Sequence, residues 1–175
     1  DTFDGQAVTT QDFVWAMATG WGIDLTQFEE TWYHQERTPG IKITTDYDAI
    51  ARTYRVNCIQ VIDKNTQWEE QKAFYYPLAI ALFAPDGSKL DLNLSNKPLQ
   101  NRIQEGILII SKSEETFIFE WIDSEPKISL NRSFSAPIRV HCDVIDPVFL
   151  MQYETDWFAR YEAAEQYAIE VIRSL

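Results

Sequence analysis

The chain has 175 residues, of which 45% are hydrophobic and 24% charged, values typical of one folded domain with extensions and not of a disordered or low-complexity segment. Fifteen Lys and Arg residues against 27 Asp and Glu residues give a formal net charge of −12, which repels phosphate backbones and argues against nucleic-acid binding. The longest nearly unbroken apolar run, Phe74–Ala84, is too short to span a bilayer, so we expect no membrane segment.

The two ends and the cysteines suggest where the chain comes from. It begins with Asp1 and not with Met, and it has no basic and apolar leader, so we expect a piece of a longer protein without a secretory signal. Two cysteines, Cys58 and Cys142, are too few for a disulfide framework and predict buried thiols in a reducing compartment. A bridge between two strands stays open as the alternative.

Two short helices are predicted before residue 40. Thr9, followed three residues later by Asp12, is typical of a helix N-terminus, because the hydroxyl caps a free amide and the acid favours the helix dipole. Asp24 is the expected cap of a second helix, which Pro39-Gly40 ends. Both helices are too short to be stable alone and must pack on something. Their apolar positions are Phe13, Val14 and Met17 in the first, and Leu25, Phe28 and Trp32 in the second.

From Ile41 onward the apolar residues recur with a period of two, which indicates β-strands. No helical pattern lies between consecutive strands, so the sequence favours antiparallel pairing in a β-sandwich of about seven strands. Two polar connections, 63–72 and 93–105, are expected to be exposed. The predicted strands are Ile41–Tyr47, Tyr54–Ile62, Phe74–Ala84, Ile107–Ile110, Thr116–Trp121, Ile128–Phe134 and Ile138–Val144.

The pattern becomes helical again at Asp146-Pro147, where Pro suits a first helical position behind an Asp cap. Asp156 starts a second helical stretch with a continuous apolar stripe. The chain stops inside this stripe, so we expect it to be cut within a longer helical region. The stripe consists of Trp157, Tyr161, Ala164, Ala168, Val171 and Leu175.

No motif in the chain predicts a metal site. The zinc pattern H-E-x-x-H needs two His residues one helical turn apart, and the only two His residues are His34 and His141. His141 and Cys142 are adjacent on a predicted strand and point to opposite faces, so they cannot bind one ion together.

Patterns for other chemistry are equally weak. Ser135 has no nucleophile-elbow pattern around it, and no glycine-rich phosphate loop occurs. The acidic pairs Glu69-Glu70 and Glu114-Glu115 are expected to be solvated surface. Trp21 and Trp68 could stack on a sugar or peptide, but partly buried packing is the favoured interpretation. We therefore predict no catalytic, cofactor-binding or metal-binding residue in this chain.

Several stretches, in order along the chain, resemble the bacterial aminopeptidase N (alanyl aminopeptidase) family of zinc metallopeptidases. Each stretch alone is only weakly specific for the family, but their occurrence together in the same order is highly specific. Arg37, Tyr153 and Tyr161 stand where the family pattern leads us to expect Gly, His and Trp. The matching stretches are Phe3-Asp4-Gly5-Gln6-Ala7-Val8-Thr9, Asp12-Phe13-Val14, Asp24-Leu25-Thr26-Gln27-Phe28, Trp32-Tyr33, Thr38-Pro39, Pro77-Leu78-Ala79-Ile80-Ala81-Leu82-Phe83, Phe134-Ser135-Ala136-Pro137-Ile138, Phe149-Leu150-Met151 and Asp156-Trp157-Phe158-Ala159-Arg160-Tyr161-Glu162-Ala163.

The resemblance implies three parts: residues 1–36 as the helical tail of a catalytic domain, residues 37–145 as an immunoglobulin-like antiparallel β-sandwich, and residues 146–175 as the first helices of a C-terminal helical domain. The family's zinc ligands and catalytic residues would lie upstream of Asp1, so none is carried over to this chain. The resemblance further implies a cytoplasmic zinc enzyme that removes N-terminal residues from peptides, in which this segment spaces the catalytic and C-terminal domains.

Two other classes of function stay open at this point. A free-standing immunoglobulin-like module would bind a peptide or carbohydrate through Trp68 or the 93–105 loop. An independent hydrolase would need a hidden triad. For the excised segment we expect the terminal helices to fold back on the sandwich, to pair with a second copy of the chain, or to fray.

Overall fold

The computed structural model describes residue 5 and residues 7–35, 38–61, 72–95 and 106–175. Within these ranges, nine strands lie between two pairs of helices. The helices are α1 (Thr10–Trp21), α2 (Thr26–Trp32), α3 (Pro147–Tyr153) and α4 (Trp157–Ser174), and a 3-10 turn spans Arg132–Phe134. The strands are β1 (Gly40–Asp48), β2 (Thr53–Val61), β3 (Tyr76–Ala79), β4 (Ala81–Phe83), β5 (Asn93–Leu94), β6 (Ile107–Ile110), β7 (Glu114–Glu120), β8 (Lys127–Ser129) and β9 (Arg139–His141).

Five strands form the larger sheet, in the order β5-β7-β2-β1-β9, and two antiparallel pairs, β3-β6 and β4-β8, complete the sandwich. The β1–β2 hairpin runs in register from Gly40 opposite Val61 to Asp48 opposite Thr53. β9 lies parallel to β1, so this edge departs from the favoured antiparallel pairing. The reason is that β1 and β9 are not consecutive: seven other described strands lie between them in the chain, and a long connection allows a strand to return in either direction.

The main hydrophobic core lies between the larger sheet and the two strand pairs, and a smaller cluster joins β4 to α3 and α4. Alternate side chains of β1 and β2 point inward, as a half-buried strand requires. The predicted sandwich is therefore confirmed. The fully buried aliphatic and aromatic side chains include Ile41, Ile43, Tyr76, Leu78, Ile80, Leu82, Ile110, Phe119, Ile122 and Ile128.

Some predicted strand bounds are wrong. Phe74–Ala84 is split at Ile80 into β3 and β4, which pair with different strands, and the backbone N–H of Ile80 donates to Gly106 O at 2.7 Å. The run from Ile80 to Phe83 is buried without alternation, so its periodicity could not reveal the break.

Three further strand predictions differ from the structure. The predicted strand Ile128–Phe134 ends at Ser129, and left-handed backbone at Asn131, Ser133 and Phe134 forms the 3-10 turn instead. The predicted strand Ile138–Val144 is shortened to β9. The two-residue strand β5 was missed, because it falls in a stretch predicted as a polar connection.

The predicted starts of α1, α3 and α4 are confirmed. Thr9 and Asp12 form a reciprocal capping box, with the Asp12 N–H donating to Thr9 Oγ1 at 3.2 Å and the Thr9 N–H donating to Asp12 Oδ2 at 2.8 Å. The prediction for the second helix is wrong by one residue at its start, because Leu25 is the N-cap of α2 and makes no side-chain cap hydrogen bond, while Asp24 before it accepts from the Thr26 N–H at 2.9 Å. The helix also ends at Trp32, well before the predicted stop at Pro39-Gly40. Asp146 and Asp156 are the N-caps of α3 and α4. The apolar face predicted for α1 is wrong in part, because Val14 is buried whereas Phe13 is 57% exposed.

The described helices include none whose length and apolar character would suit a membrane crossing.

Candidate functional site

The residues considered for chemistry do not come together. Among the described residues, no group of three or more His, Cys, Asp and Glu side chains is placed to hold a metal ion. His34 and His141 are both exposed, and they lie on different elements. Trp68 and the pair Glu69-Glu70 lie outside the described residues, as do most of the 63–72 connection and residues 96–105. The absence of catalytic residues therefore stays a prediction.

Both cysteines are free. Cys58 is buried as predicted, and desolvation, with the Glu115 charge adding to it, raises the pKa of its thiol to about 12. Cys142 is only half-buried. Cys58 lies on β2 and Cys142 follows β9, with β1 between them. Two strand spacings of about 4.8 Å exceed the Cα separation that a disulfide tolerates, which disfavours the alternative of a bridge.

The contacts that stand out are those that attach the helices to the sandwich. On the N-terminal side, Gln27 of α2 donates through Nε2 to the backbone oxygens of Ala73 at 2.9 Å and Ser111 at 2.5 Å. Ala73 precedes β3 and Ser111 follows β6, so one amide side chain on the helix binds both strands at the same end of this antiparallel pair.

Trp32 completes this N-terminal junction. Its indole N–H donates to Tyr75 O at 2.7 Å, and its ring meets the Phe74 ring edge-on with the centroids 5.2 Å apart. Lys72 pairs with Glu30 at 2.6 Å on the solvent side. Of the three outcomes expected for this helix face, the structure shows α2 folded on the sandwich.

The C-terminal junction is built on a buried ion pair. Arg132, in the 3-10 turn, donates through Nη2 to Glu154 Oε1 at 3.0 Å and to Thr155 Oγ1 at 3.1 Å. The Glu154 side chain is 0% exposed, and its Oε1 also accepts from the backbone N–H groups of Thr155 and Asp156. The turn of the sandwich is thereby fixed to the corner between α3 and α4.

Asp156 adds a second link at the same corner. It caps α4 and also accepts from the Ser133 N–H at 2.8 Å and the Ser133 hydroxyl at 2.5 Å. Although burial opposes ionisation, the hydrogen bonds from Ser133 and Ala159 and the charge of Arg132 lower the pKa of Asp156. The carboxylate is therefore the favoured form where the two elements meet.

Helix α3 is held by packing and by one further ion pair. Lys127 on β8 pairs with Asp146 at 3.0 Å, and the Phe83 and Phe149 rings meet edge-on at 6.3 Å. Gly87, in the turn after β4, lies against Tyr153, and a Cβ added at Gly87 would be 2.0 Å from Tyr153 Cδ1. Only glycine fits there, because the backbone also has φ +89°.

Two helix surfaces stay exposed. On α4, Ala159 and Ala163 are buried, whereas the predicted stripe faces solvent, with Trp157 75% exposed. On α1, Phe13 and Trp21 are exposed. Trp21 is 71% exposed, so the interpretation of partly buried packing is wrong for this residue.

Sequence reasoning found the caps Asp146 and Asp156 but missed the junction partners. Arg132 and Glu154 are 22 residues apart, and Gln27 is 84 residues from Ser111. No local pattern marks such pairs. The residues of the 3-10 turn likewise give no local sign of its left-handed backbone.

The fold and its two junctions define an immunoglobulin-like sandwich domain with helical extensions fixed to it. Residues 37–143 match the family described as a domain of unknown function (DUF3458) with an Ig-like fold. The chain belongs to this family of Ig-like domains.

Curated relatives of the chain include three bacterial aminopeptidases N. The chain is 29% identical to aminopeptidase N of Escherichia coli (strain K12) over 93% of its length. It is 30% identical to aminopeptidase N of Haemophilus influenzae over 97% of its length. The enzyme of Caulobacter vibrioides is 32% identical over 97% of the chain. The chain spans only 18%, 19% and 18% of these relatives, in that order. The resemblance to the aminopeptidase N family is confirmed.

A solved aminopeptidase structure also matches the chain. The crystal structure of Legionella pneumophila aminopeptidase A in complex with aspartic acid superposes with a TM-score of 0.75 at 28% identity, covering 93% of this chain and 17% of that one. The chain is thus an Ig-like segment that matches part of a much longer aminopeptidase, and these matches do not favour a free-standing binding module.

Proposed function

We propose that this chain is the non-catalytic Ig-like segment of a zinc-dependent, cytoplasmic aminopeptidase that removes N-terminal residues from peptides. Its role is to hold a catalytic domain and a C-terminal helical domain at a fixed spacing. The observation that carries this proposal is that the helices on both sides are bound to the sandwich by specific side-chain contacts. A flexible linker would leave the flanking domains free to reorient.

The two junctions support rigid spacing in different ways. At the N-terminal junction, Gln27 and Trp32 donate to three backbone oxygens of the sandwich. At the C-terminal junction, a buried ion pair and the shared carboxylate of Asp156 connect the sandwich to α3 and α4. Because side chains contact fixed backbone atoms at both junctions, the direction in which each helix leaves the sandwich is set.

The exposed helix surfaces support the identity of the partners. The apolar stripe of α4 contains Trp157, Tyr161 and Leu175, all exposed. A contiguous apolar face of this kind is typical of a surface that another element covers. We assign the α4 stripe to the C-terminal helical domain and the exposed face of α1 to the catalytic domain, with parts bounded at 1–36, 37–145 and 146–175.

The zinc ion of the proposed enzyme does not fit this segment. The described residues include no cluster of suitable ligands, and the two His residues are exposed on separate elements. The proposal therefore assigns the metal and the catalytic residues to other parts of the parent chain.

The test compares the 175-residue chain with its parent. We expect the chain alone to retain no stoichiometric zinc after dialysis and to leave aminoacyl reporter substrates uncleaved. The full-length parent should retain zinc and cleave these substrates, because a polarising metal is needed for this hydrolysis. One tightly held zinc per chain, or turnover by the chain alone, would contradict the proposal. A full-length parent without aminopeptidase activity would contradict the assigned activity.

A further inference from the structure

One end of the sandwich carries a cleft that neither junction uses. It lies between the β1–β2 turn and the end of β7, has a volume of about 180 Å³, and is lined by Ala51, Arg52, Thr53, Glu120 and Trp121. β1 leads from its junction with β9 at Gly40 to this turn at Asp48, about 30 Å away at strand geometry. The cleft is therefore at the far end of the hairpin from β9.

The backbone turns Trp121 out of the core. Along β7 the side chains of Phe117 and Phe119 are buried, and alternation would place Trp121 inward as well. Left-handed backbone at Trp121, with φ 67°, inverts this order, so that Ile122 is buried and Trp121 is 69% exposed. A large residue held in this conformation points to a role for the exposed ring.

A second residue with left-handed backbone lies on the opposite wall of the cleft. Arg52 is also left-handed, with φ 53°, and its backbone oxygen accepts from the Ile122 N–H at 3.0 Å. Its guanidinium carbon lies 6.0 Å from the centroid of the Trp121 ring. The molecule thus already places one cation near this ring, at a distance typical of a cation–π contact.

One carboxylate in the cleft has no oppositely charged side chain paired with it among the described residues. Arg52 pairs with Asp123, so these two charges cancel. The backbone of Glu120 pairs with β2 and β5, and its half-buried side chain lies in the cleft wall. Its carboxylate makes no hydrogen bond or ion pair within the ranges that the structure describes. A carboxylate without a counter-ion beside the electron-rich face of an indole attracts a cation. The net charge of −12 adds a favourable long-range field.

We propose that this cleft binds a primary ammonium group carried by a peptide or protein chain, between the Glu120 carboxylate and the Trp121 ring. Ile50, in the same turn, is 98% exposed and offers an apolar contact to the body of such a ligand. A lysine side chain and a free N-terminus share this chemistry. The proposal stands on the cleft alone and does not depend on the aminopeptidase assignment.

The experiment is an NMR titration of the 175-residue chain that follows the indole N–H of Trp121. Three probes are used: acetyl-Ala-Lys-Ala-amide for the side-chain ammonium, Ala-Ala-Ala-amide for the N-terminal ammonium, and acetyl-Ala-Gln-Ala-amide without either. We expect a saturable shift with the first or the second peptide, which identifies the source of the ammonium group, and none with the third. No shift with either ammonium peptide up to millimolar concentration, or an equal shift with the third, would overturn the proposal.

A matched pair of variants distinguishes binding at Glu120 from general attraction to the negative charge of the chain. Glu120→Gln should weaken binding at least fivefold, whereas Glu125→Gln, which removes an exposed carboxylate close by in sequence, should leave the affinity within twofold. The amide spectrum of each variant reports whether it folds. Equal losses in both variants, or unchanged binding by Glu120→Gln, would refute the site. A shift of the Trp121 signal on concentrating the chain without peptide would assign the cleft to a second copy and overturn the proposal.

Discussion

At the scale of single residues, Arg132 and Glu154 have the largest energetic consequences at the C-terminal junction. The pair is buried, and Arg132 Nε and Glu154 Oε2 have no hydrogen-bond partner among the described residues. A buried pair of this kind contributes little net stability over an apolar replacement, but removal of one partner leaves the other charge uncompensated.

We therefore predict that Glu154→Ala lowers the free energy of unfolding by about 3 to 5 kcal/mol, since it leaves a mostly buried guanidinium without its carboxylate. The exposed Glu165→Ala on α4 is the control, and its effect should stay within about 0.5 kcal/mol. Urea unfolding of both variants provides the measurement. Equal effects in the two variants would show that the buried pair is not what fixes this corner.

Asp156 makes the same junction sensitive to acid. Its pKa is lowered in the folded chain, so its ionised form contributes stability above the ordinary carboxyl pKa of about 3.9, and this contribution is lost as the pH falls through the lowered value. Asp156→Asn should destabilise the chain at pH 6 and change its stability much less near pH 2.

The check is denaturant unfolding of wild type and Asp156→Asn at both pH values. The control is Asp143→Asn, which removes an exposed acid. An Asp156→Asn deficit that is as large near pH 2 as at pH 6 would disprove an electrostatic role for this carboxylate.

At the scale of the elements, local sequence signals predicted the starts of α1 and α3. Most of the wrong strand predictions concern features that depend on contacts between residues far apart in the sequence. Thr9 with Asp12 and Asp146 with Pro147 are complete within three residues, so the sequence alone sufficed for these helix starts. The break at Ile80 depends on a hydrogen bond to Gly106, 26 residues later. The parallel pairing of β9 depends on β1, its neighbour in the sheet but the first strand in the sequence. Periodicity carries no information on such partners.

The turn after β4 shows how an element depends on one small residue. Gly87→Ala should destabilise the chain by about 2 kcal/mol or more, because left-handed backbone costs a non-glycine residue about 1 to 2 kcal/mol and the methyl group would overlap the Tyr153 ring. Gly20→Ala in α1 is the matched control, since a Cβ there meets no atom within 4 Å and alanine favours helix.

Thermal or urea unfolding measures the change in stability caused by each glycine substitution, and the two changes should differ in sign. We expect Gly87→Ala to lower the stability and Gly20→Ala to leave it unchanged or raise it by up to about 1 kcal/mol. If Gly87→Ala were neutral, the contact between this turn and α3 would be looser than the structure indicates.

At the scale of the whole molecule, the sandwich and its helices behave in this account as one body. The core and the family match establish the Ig-like domain, and side-chain contacts attach α2 and α4 to it at the two junctions. The sandwich was predictable from the sequence because period-two patterns and turn residues are local. The junctions were not, because Gln27, Arg132 and Glu154 are ordinary polar residues until the fold brings them to their partners.

Rigidity between the sandwich and α4 is the central claim, and a distance measurement by pulsed electron paramagnetic resonance tests it most directly. Spin labels are placed at Thr44→Cys on β1 and Glu165→Cys on α4, both exposed, in a Cys142→Ser background. Cys58 is buried with a raised pKa and should stay unlabelled. We predict a single narrow distance distribution that broadens when Glu154→Ala is added. A broad or bimodal distribution in the otherwise unaltered chain would contradict a role in fixed spacing.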